Sequence, residues 1–304
     1  MSWIKKGNIF SPDRNHSWMQ SHAANPFAVW QYEDIFRVYF TCRDADSRSH
    51  IGFVDIDFSD EFKIINISDS PVIAPGDLGI FDDSGVAMGY YIEIDKIPHI
   101  YYLGWNLKVT VPWLNTIGLA KQNVISGKFE KVSKAPIMDR SNEDPFSISY
   151  PSILFENGTY KMWYGSNLNW GKEQHEMNHV IKYAESSDGY NWKRENIISV
   201  DLLHKNEYAL SKPLVIKEEN KYLMWYSFRG NNEISTYRIG YAESNDGINW
   251  DRKDNEVGID VSEGGWDSEM ICYPYVFDYK GDRYILYNGN GYGKTGFGLA
   301  KFEK

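Results

Sequence analysis

The chain has 304 residues, of which 42% are hydrophobic, 16% aromatic and 24% charged, and a net charge of −10. That composition reads as one folded domain over residues 1–304, with an acidic surface that repels phosphates and so argues against nucleic acid as a partner. No apolar run reaches membrane-spanning length, which argues against a membrane partner, and Cys42 and Cys272 are too few for a disulfide framework. The opening Met1-Ser-Trp-Ile-Lys-Lys-Gly7 lacks the apolar stretch of a secretory signal, so the expected location is cytoplasmic.

In chain order, the first predicted strand is Trp3-Ile-Lys-Lys6, which looks like Trp192-Lys-Arg-Glu195 and Trp250-Asp-Arg-Lys253 much later on. Next comes a unit from Asn25-Pro26 to Phe40, in which an apolar strand, a short turn and an aromatic strand follow one another. The same unit recurs as Phe81 to Gly104, Tyr150-Pro151 to Tyr164, Lys212-Pro213 to Tyr226 and Tyr273-Pro274 to Tyr287. The third and fifth copies align without a gap at an offset of 123, and the third and fourth at 62. After each aromatic strand a loop leads to a third strand, beginning near Ile51, Ile117, Ile181, Ile239 and Phe297. Asp188-Gly-Tyr-Asn-Trp192 and Asp246-Gly-Ile-Asn-Trp250 then read as Asp-Gly turns feeding an outer strand, with a Trp plugging the edge.

β-Branched and aromatic runs without helical period predict an all-β fold. Five copies of a four-stranded antiparallel unit predict a five-bladed β-propeller, because radial repetition protects strand edges. The last unit ends before its outer strand, and the N-terminal Trp3 segment is expected to supply it and close the ring.

In such a ring the segments before the first strands and after the second strands meet at one mouth. The first set is Met19, Asp82, Asp144, Asn206 and Asp267, followed by Gln20, Asp83, Pro145, Glu207 and Ser268, then Ser21, Ser84, Phe146, Tyr208 and Glu269, with His22 next in the first copy. The second set is Arg43, Trp105, Asn167, Arg229 and Asn290, with His50 and Arg238 at matched starts of third strands. Carboxylates that converge push their pKa values apart, and glycoside cleavage needs such a pair, so Asp83, Glu207 and Glu269 are the candidate catalytic residues. His22, Arg43, His50, Trp105, Asp144, Tyr150, Asn167, Arg229, Arg238 and Asn290 are the candidate substrate-binding residues. Among them the arginines suit a carboxylate or phosphate on the sugar, and Trp105 and Tyr150 suit a sugar ring.

Plainer roles are open to the same residues. Asp82 or Asp83 before Ser84-Gly85 suits a turn cap equally well; Arg43 with Asp44, or Arg238 with Glu243, suits an ion pair; and His22 suits a hydrogen-bonded core position. His175 and His179 have metal-like spacing only on a helix, and the pattern there predicts a loop, so no metal is expected.

The repeat units, with Asn25-Pro26, Phe81-Asp-Asp-Ser-Gly85 and Asn157-Gly-Thr-Tyr-Lys-Met-Trp-Tyr164, resemble the five-bladed propeller glycosidases of the arabinanase, xylosidase and invertase type over nearly the whole chain. That resemblance implies a glycosidase-like enzyme acting on a sugar or polysaccharide without a cofactor. Three acids of the arabinanase pattern are replaced here, by Asn25, Tyr150 and Ser211, so its inverting mechanism does not carry over. Arg43-Asp44 and Asp267 to Glu269 are similar to a divergent branch of these propellers. No residue cluster calls for the axial ion of relatives. A non-catalytic carbohydrate-binding propeller and a protein-interaction propeller are the alternatives, the latter predicting an apolar rim and a funnel without convergent polar groups.

Overall fold

The computed structural model describes residues 1–171, 177–230 and 235–303, which are nearly all strand and turn, with almost no helix. Among them the antiparallel pairings fall into five groups. The first holds β2 (Ser21–Tyr32), β3 (Ile35–Arg43), β4 (Ser49–Asp57) and β5 (Lys63–Ile67). The second holds β6 (Gly85–Ile94), β7 (Ile97–Leu107), β8 (Trp113–Gln122) and β9 (Phe129–Lys131). The third holds β10 (Ile148–Glu156), β11 (Thr159–Asn167), β12 (His179–Ser186) and β13 (Lys193–Val200). The fourth holds β14 (Ala209–Glu218), β15 (Lys221–Arg229), β16 (Arg238–Ser244) and β17 (Asp251–Arg252). In the last group β18 (Cys272–Tyr279), β19 (Asp282–Asn288) and β20 (Phe297–Phe302) are joined by β1 (Trp3–Phe10), which pairs with β20 from Trp3↔Phe302 to Phe10↔Phe297.

Each first strand lies against the first strands of the neighbouring groups, and contact of β18 with β2 closes the series. Apolar residues fill the spaces between groups rather than a single centre. Phe40 and Val54 pack with Leu286 and Leu299 between the last group and the first. Tyr101 and Leu119 pack with Ile153 and Met162 between the second and third, and Trp163 and Tyr183 with Met224 and Tyr226 between the third and fourth. The Asp-Gly turns belong to these seams. Asp188 accepts hydrogen bonds from the backbone N–H groups of Tyr190 and Asn191, while Trp192 packs edge-on to Tyr101 of the group before.

Every first strand carries a register break, between Ala24 and Phe27, Met88 and Tyr90, Ser149 and Ser152, Ser211 and Leu214, and Cys272 and Tyr275. At four of them the residue before proline takes a left-handed backbone: Asn25 (φ 54°), Tyr150 (39°), Lys212 (52°) and Tyr273 (56°). Proline disfavours the right-handed helical region for its predecessor and offers no N–H to the ladder, so a bulge forms there. In β2, β10 and β18 the residue so placed, Asn25, Tyr150 and Tyr273, lines a central cavity.

Candidate functional site

Where the five first strands meet, a cavity of about 310 Å³ opens, at the small end of the range for ligand sites. First strands contribute Ala24, Asn25, Ala87, Ser149, Tyr150, Ser211 and Tyr273; second strands contribute Thr41, Arg43, Leu103, Trp105 and Arg229. Third strands and the loops before them add Ser49, Trp113, Asn115, Met177, His179 and Tyr237, and His22 and Tyr292 complete the wall. Among the described residues, no Asp or Glu lines it.

The walls are cationic and aromatic. Arg229 is buried, donates to the Tyr292 hydroxyl at 2.7 Å, and lies 4.5 Å from the Tyr237 ring centroid and 5.1 Å from that of Tyr208. Its Nε is enclosed and has no hydrogen-bond partner among the described residues, and neither has the enclosed Nε2 of His179. Arg43, at the matched position of the first group, also lines the cavity and is exposed. Tyr150 and Tyr273 pack with centroids 5.7 Å apart. Trp105 donates to Ser49 Oγ at 2.7 Å, and Gly85 keeps this corner open, since a Cβ there would come within 2.3 Å of that oxygen.

Burial, reinforced by the charges of Arg43 and Lys294, lowers the pKa of His22 to about 4. Burial and the Arg229 charge do the same for His179, to about 4. Both imidazoles are therefore neutral at pH 7, and the lasting positive charge belongs to the arginines. Burial raises the phenols of Tyr150 and of Tyr237, the latter to about 12, so these hydroxyls stay protonated donors.

His22, Arg43, Trp105, Tyr150 and Arg229 of the expected binding set are thus brought together. The expected carboxylates are not. Asp83 accepts from Gly79 N–H, Ser84 Oγ and Asn106 Nδ2, which makes it the turn cap. Glu207 is buried outside the cavity, held by both terminal nitrogens of Arg252 at 2.7 and 2.8 Å. Glu269 is exposed, and its carbonyl accepts from Thr236 and Arg238.

Asp144 belongs to a recurring structural triad. It accepts from the Tyr164 hydroxyl at 2.8 Å, Lys182 at 3.0 Å and Arg194 at 3.1 Å; burial alone would raise its pKa, but Ser166 and Lys182 bring it below the ordinary value. Asp82 accepts from Tyr102 and Lys131 in the same way, and Asp267 from Tyr287 and Lys5. A fourth-strand cation thus neutralises an acid at the head of its own group. In the first group Met19, Phe40 and Ile67 occupy the matched places and pack as apolar residues.

His50 and Arg238 are turned from the cavity by strand alternation. The lining positions of the third strands lie one residue earlier, at Ser49, Asn115, His179 and Tyr237. His50 instead meets Asp44 at 3.0 Å, and Arg238 meets Asp260 at 2.8 Å. Asp44 also pairs with Arg48, and Glu243 with Lys221 and Lys253. Asn167 is buried beside His179 in the β11–β12 ladder, and Asn290 caps the turn at Glu269 and Met270. His175 lies outside the described residues. Among the described residues no group of three or more His, Cys, Asp or Glu is placed to hold a metal ion. No described helix is long and apolar enough to cross a membrane.

No family model matches the chain. It is 45% identical over 303 residues to "Uncharacterized protein Rv1502" of Mycobacterium tuberculosis, covering 100% of both chains. It is 25% identical over 166 residues to the β-1,2-mannobiose phosphorylase of Thermoanaerobacter sp. strain X514, covering 50% of this chain and 54% of that protein. Among solved structures, one described as "Glycoside hydrolase" superposes with a TM-score of 0.76 at 15% identity, covering 99% of this chain and 92% of that one. A structure described under "The GH130 family of mannoside phosphorylases contains glycoside hydrolases that target beta-1,2 mannosidic linkages in Candida mannan" superposes at 0.68 with 14% identity, covering 99% and 94%. The chain belongs to one family with the mycobacterial protein Rv1502 and has the fold of the propeller glycoside hydrolases and mannoside phosphorylases.

Proposed function

We propose that the five strand groups are the blades of one five-bladed propeller, closed by β1, and that its central cavity binds an anionic sugar. The observation that carries this reading is the lining itself: Arg43 and Arg229 with no described carboxylate among them, inside walls of Tyr and Trp. Guanidinium groups on the cavity wall suit a carboxylate or phosphate, which they hold by charge-assisted hydrogen bonds. Aromatic faces beside it suit the apolar side of a pyranose.

The half-length likeness to a phosphorylase supports a second reading, in which the anion is phosphate acting as glycosyl acceptor. The glycosidic C–O bond then breaks, a bond from the anomeric carbon to a phosphate oxygen forms, and the leaving oxygen takes a proton. None of the three candidate acids lines the cavity, so the proton is proposed to come from the attacking dihydrogen phosphate itself. Asp83 and Glu207 are proposed to act by holding the structure.

Calorimetric titration with glucose 1-phosphate, galacturonate and their neutral parent sugars tests the first reading. At least one anionic sugar is expected to bind tenfold or more tighter than its parent, about 1.4 kcal/mol. Arg229→Ala should remove that preference and leave the weak binding of the neutral sugar. Equal affinities for charged and neutral sugars would overturn it.

A further inference from the structure

One side of the mouth does not look like a sugar site. The β7–β8 hairpin runs Leu107-Lys-Val-Thr-Val-Pro-Trp113, and at its tip Leu107 is 70% and Val109 fully exposed. Leu107 is paired with Trp113 across the ladder, and Trp113 lines the cavity. Trp113 meets Trp170 edge-on at 5.5 Å, and near it Leu168 is 38% exposed. An apolar strip therefore starts inside the cationic cavity and continues out onto the rim.

Solvent-facing Leu and Val at the tip of a hairpin gain nothing from water, and they contribute to none of the apolar clusters between strand groups. Sugars offer hydroxyls on most of their surface, so a second sugar would stack on Trp113 but would not use Leu107 or Val109. A protein-interaction surface would explain the strip but not its continuity with Arg43 and Arg229 in an enclosed cavity. Cationic cavity and apolar strip together match one ligand type, with a charged head and a hydrocarbon tail.

We infer that the ligand is an amphiphile: a sugar whose phosphate or carboxylate sits at Arg229 and Arg43, linked to an alkyl or prenyl chain that lies along Trp113, Leu107 and Val109. This rests on the anionic-sugar reading of the cavity and names the aglycone. Each methylene placed on the strip leaves water, which strengthens binding without any further polar contact. The flat indole faces of Trp113 and Trp170 suit the point where head gives way to tail, since indole combines an apolar body with a polar edge.

The test compares methyl phosphate with octyl phosphate below its micelle concentration, by calorimetry on the full chain. Octyl phosphate is expected to bind at least tenfold tighter. Leu107→Ser with Val109→Ser, both on the exposed tip, should reduce that ratio to near one while methyl phosphate affinity is unchanged. Arg229→Ala should weaken both probes. Equal affinity for the two probes in the unaltered protein would overturn the inference while leaving anion binding intact. Failure of both probes to bind would overturn the cavity reading itself. Sedimentation of the same proteins supplies the competing outcome: self-association abolished by the two serines would make the strip an interface between copies and overturn the amphiphile.

Discussion

Lys212 carries its amine into the centre of the molecule, with no carboxylate among the described residues to meet it. It is fully buried on the bulge of β14, donating to the Gly89 carbonyl at 3.3 Å, with the Phe27 ring centroid 6.0 Å away. Burial lowers its pKa from 10.5 to about 7. Between those values the unfolded chain keeps the proton and the folded chain does not, so stability rises with pH across that window and is lowest below about 7. Lys212→Met should therefore stabilise the protein by ~3–5 kcal/mol near pH 6.5, with the gain shrinking as pH approaches 10, on the basis of 1.36 kcal/mol per pH unit. Urea unfolding at pH 6.5 and 9.5 measures it; a gain that does not change with pH would contradict the buried-charge account. The position is visible in the sequence as the residue before Pro213, matched to Asn25, Tyr150 and Tyr273. Its burial is not, because nothing local distinguishes a bulge that faces the cavity from one that faces Gly89.

At the scale of the strand, a single-residue offset separates a lining residue from a structural one. The repeat singles out His50 and Arg238, whereas the cavity takes their predecessors, Ser49 and Tyr237. Charged residue type draws attention to one face of the strand, but alternation places the other face inward. The carboxylates mislead for a related reason. The motif shared by Trp3-Ile-Lys5, Trp192-Lys-Arg194 and Trp250-Asp-Arg252 is legible as an outer strand, yet nothing in it marks its cation as the partner of the acids at the group head. Those pairings join residues 45 to 262 positions apart, which a linear reading does not connect. Glu207→Gln follows as the element-scale prediction. It removes one of the two carboxylates that hold Arg252, the other being Asp254 at 2.6 Å, so unfolding free energy should fall by about 1–3 kcal/mol. Anionic-sugar affinity of folded Glu207→Gln should equal that of the unaltered protein; a large loss of affinity at unchanged stability would instead put Glu207 in the binding machinery.

For the molecule as a whole, the repeat is legible because each unit carries its own apolar strand, turn and aromatic strand, and the seams between groups need those residues in every copy. The prediction peculiar to this scale concerns the join of chain ends. β1 covers β20 with six paired positions, buries Trp3 with its indole N–H on the Val257 carbonyl at 2.8 Å, and neutralises Asp267 with Lys5 at 2.7 Å. Removing residues 1–6 would take away one large aromatic core side chain, for which about 3–5 kcal/mol is usual. It would also leave Asp267 buried without its cation and expose the edge of β20. The cost falls on the whole series of contacts, because the last group packs against both the first and the fourth. Truncated protein should therefore unfold at a markedly lower urea concentration in one transition and self-associate more readily. Trp3→Ala, which spares the backbone pairing, should show the same direction with less association. A truncated chain with an unchanged urea midpoint would mean that the last group holds without Trp3, Lys5 and the first half of β1.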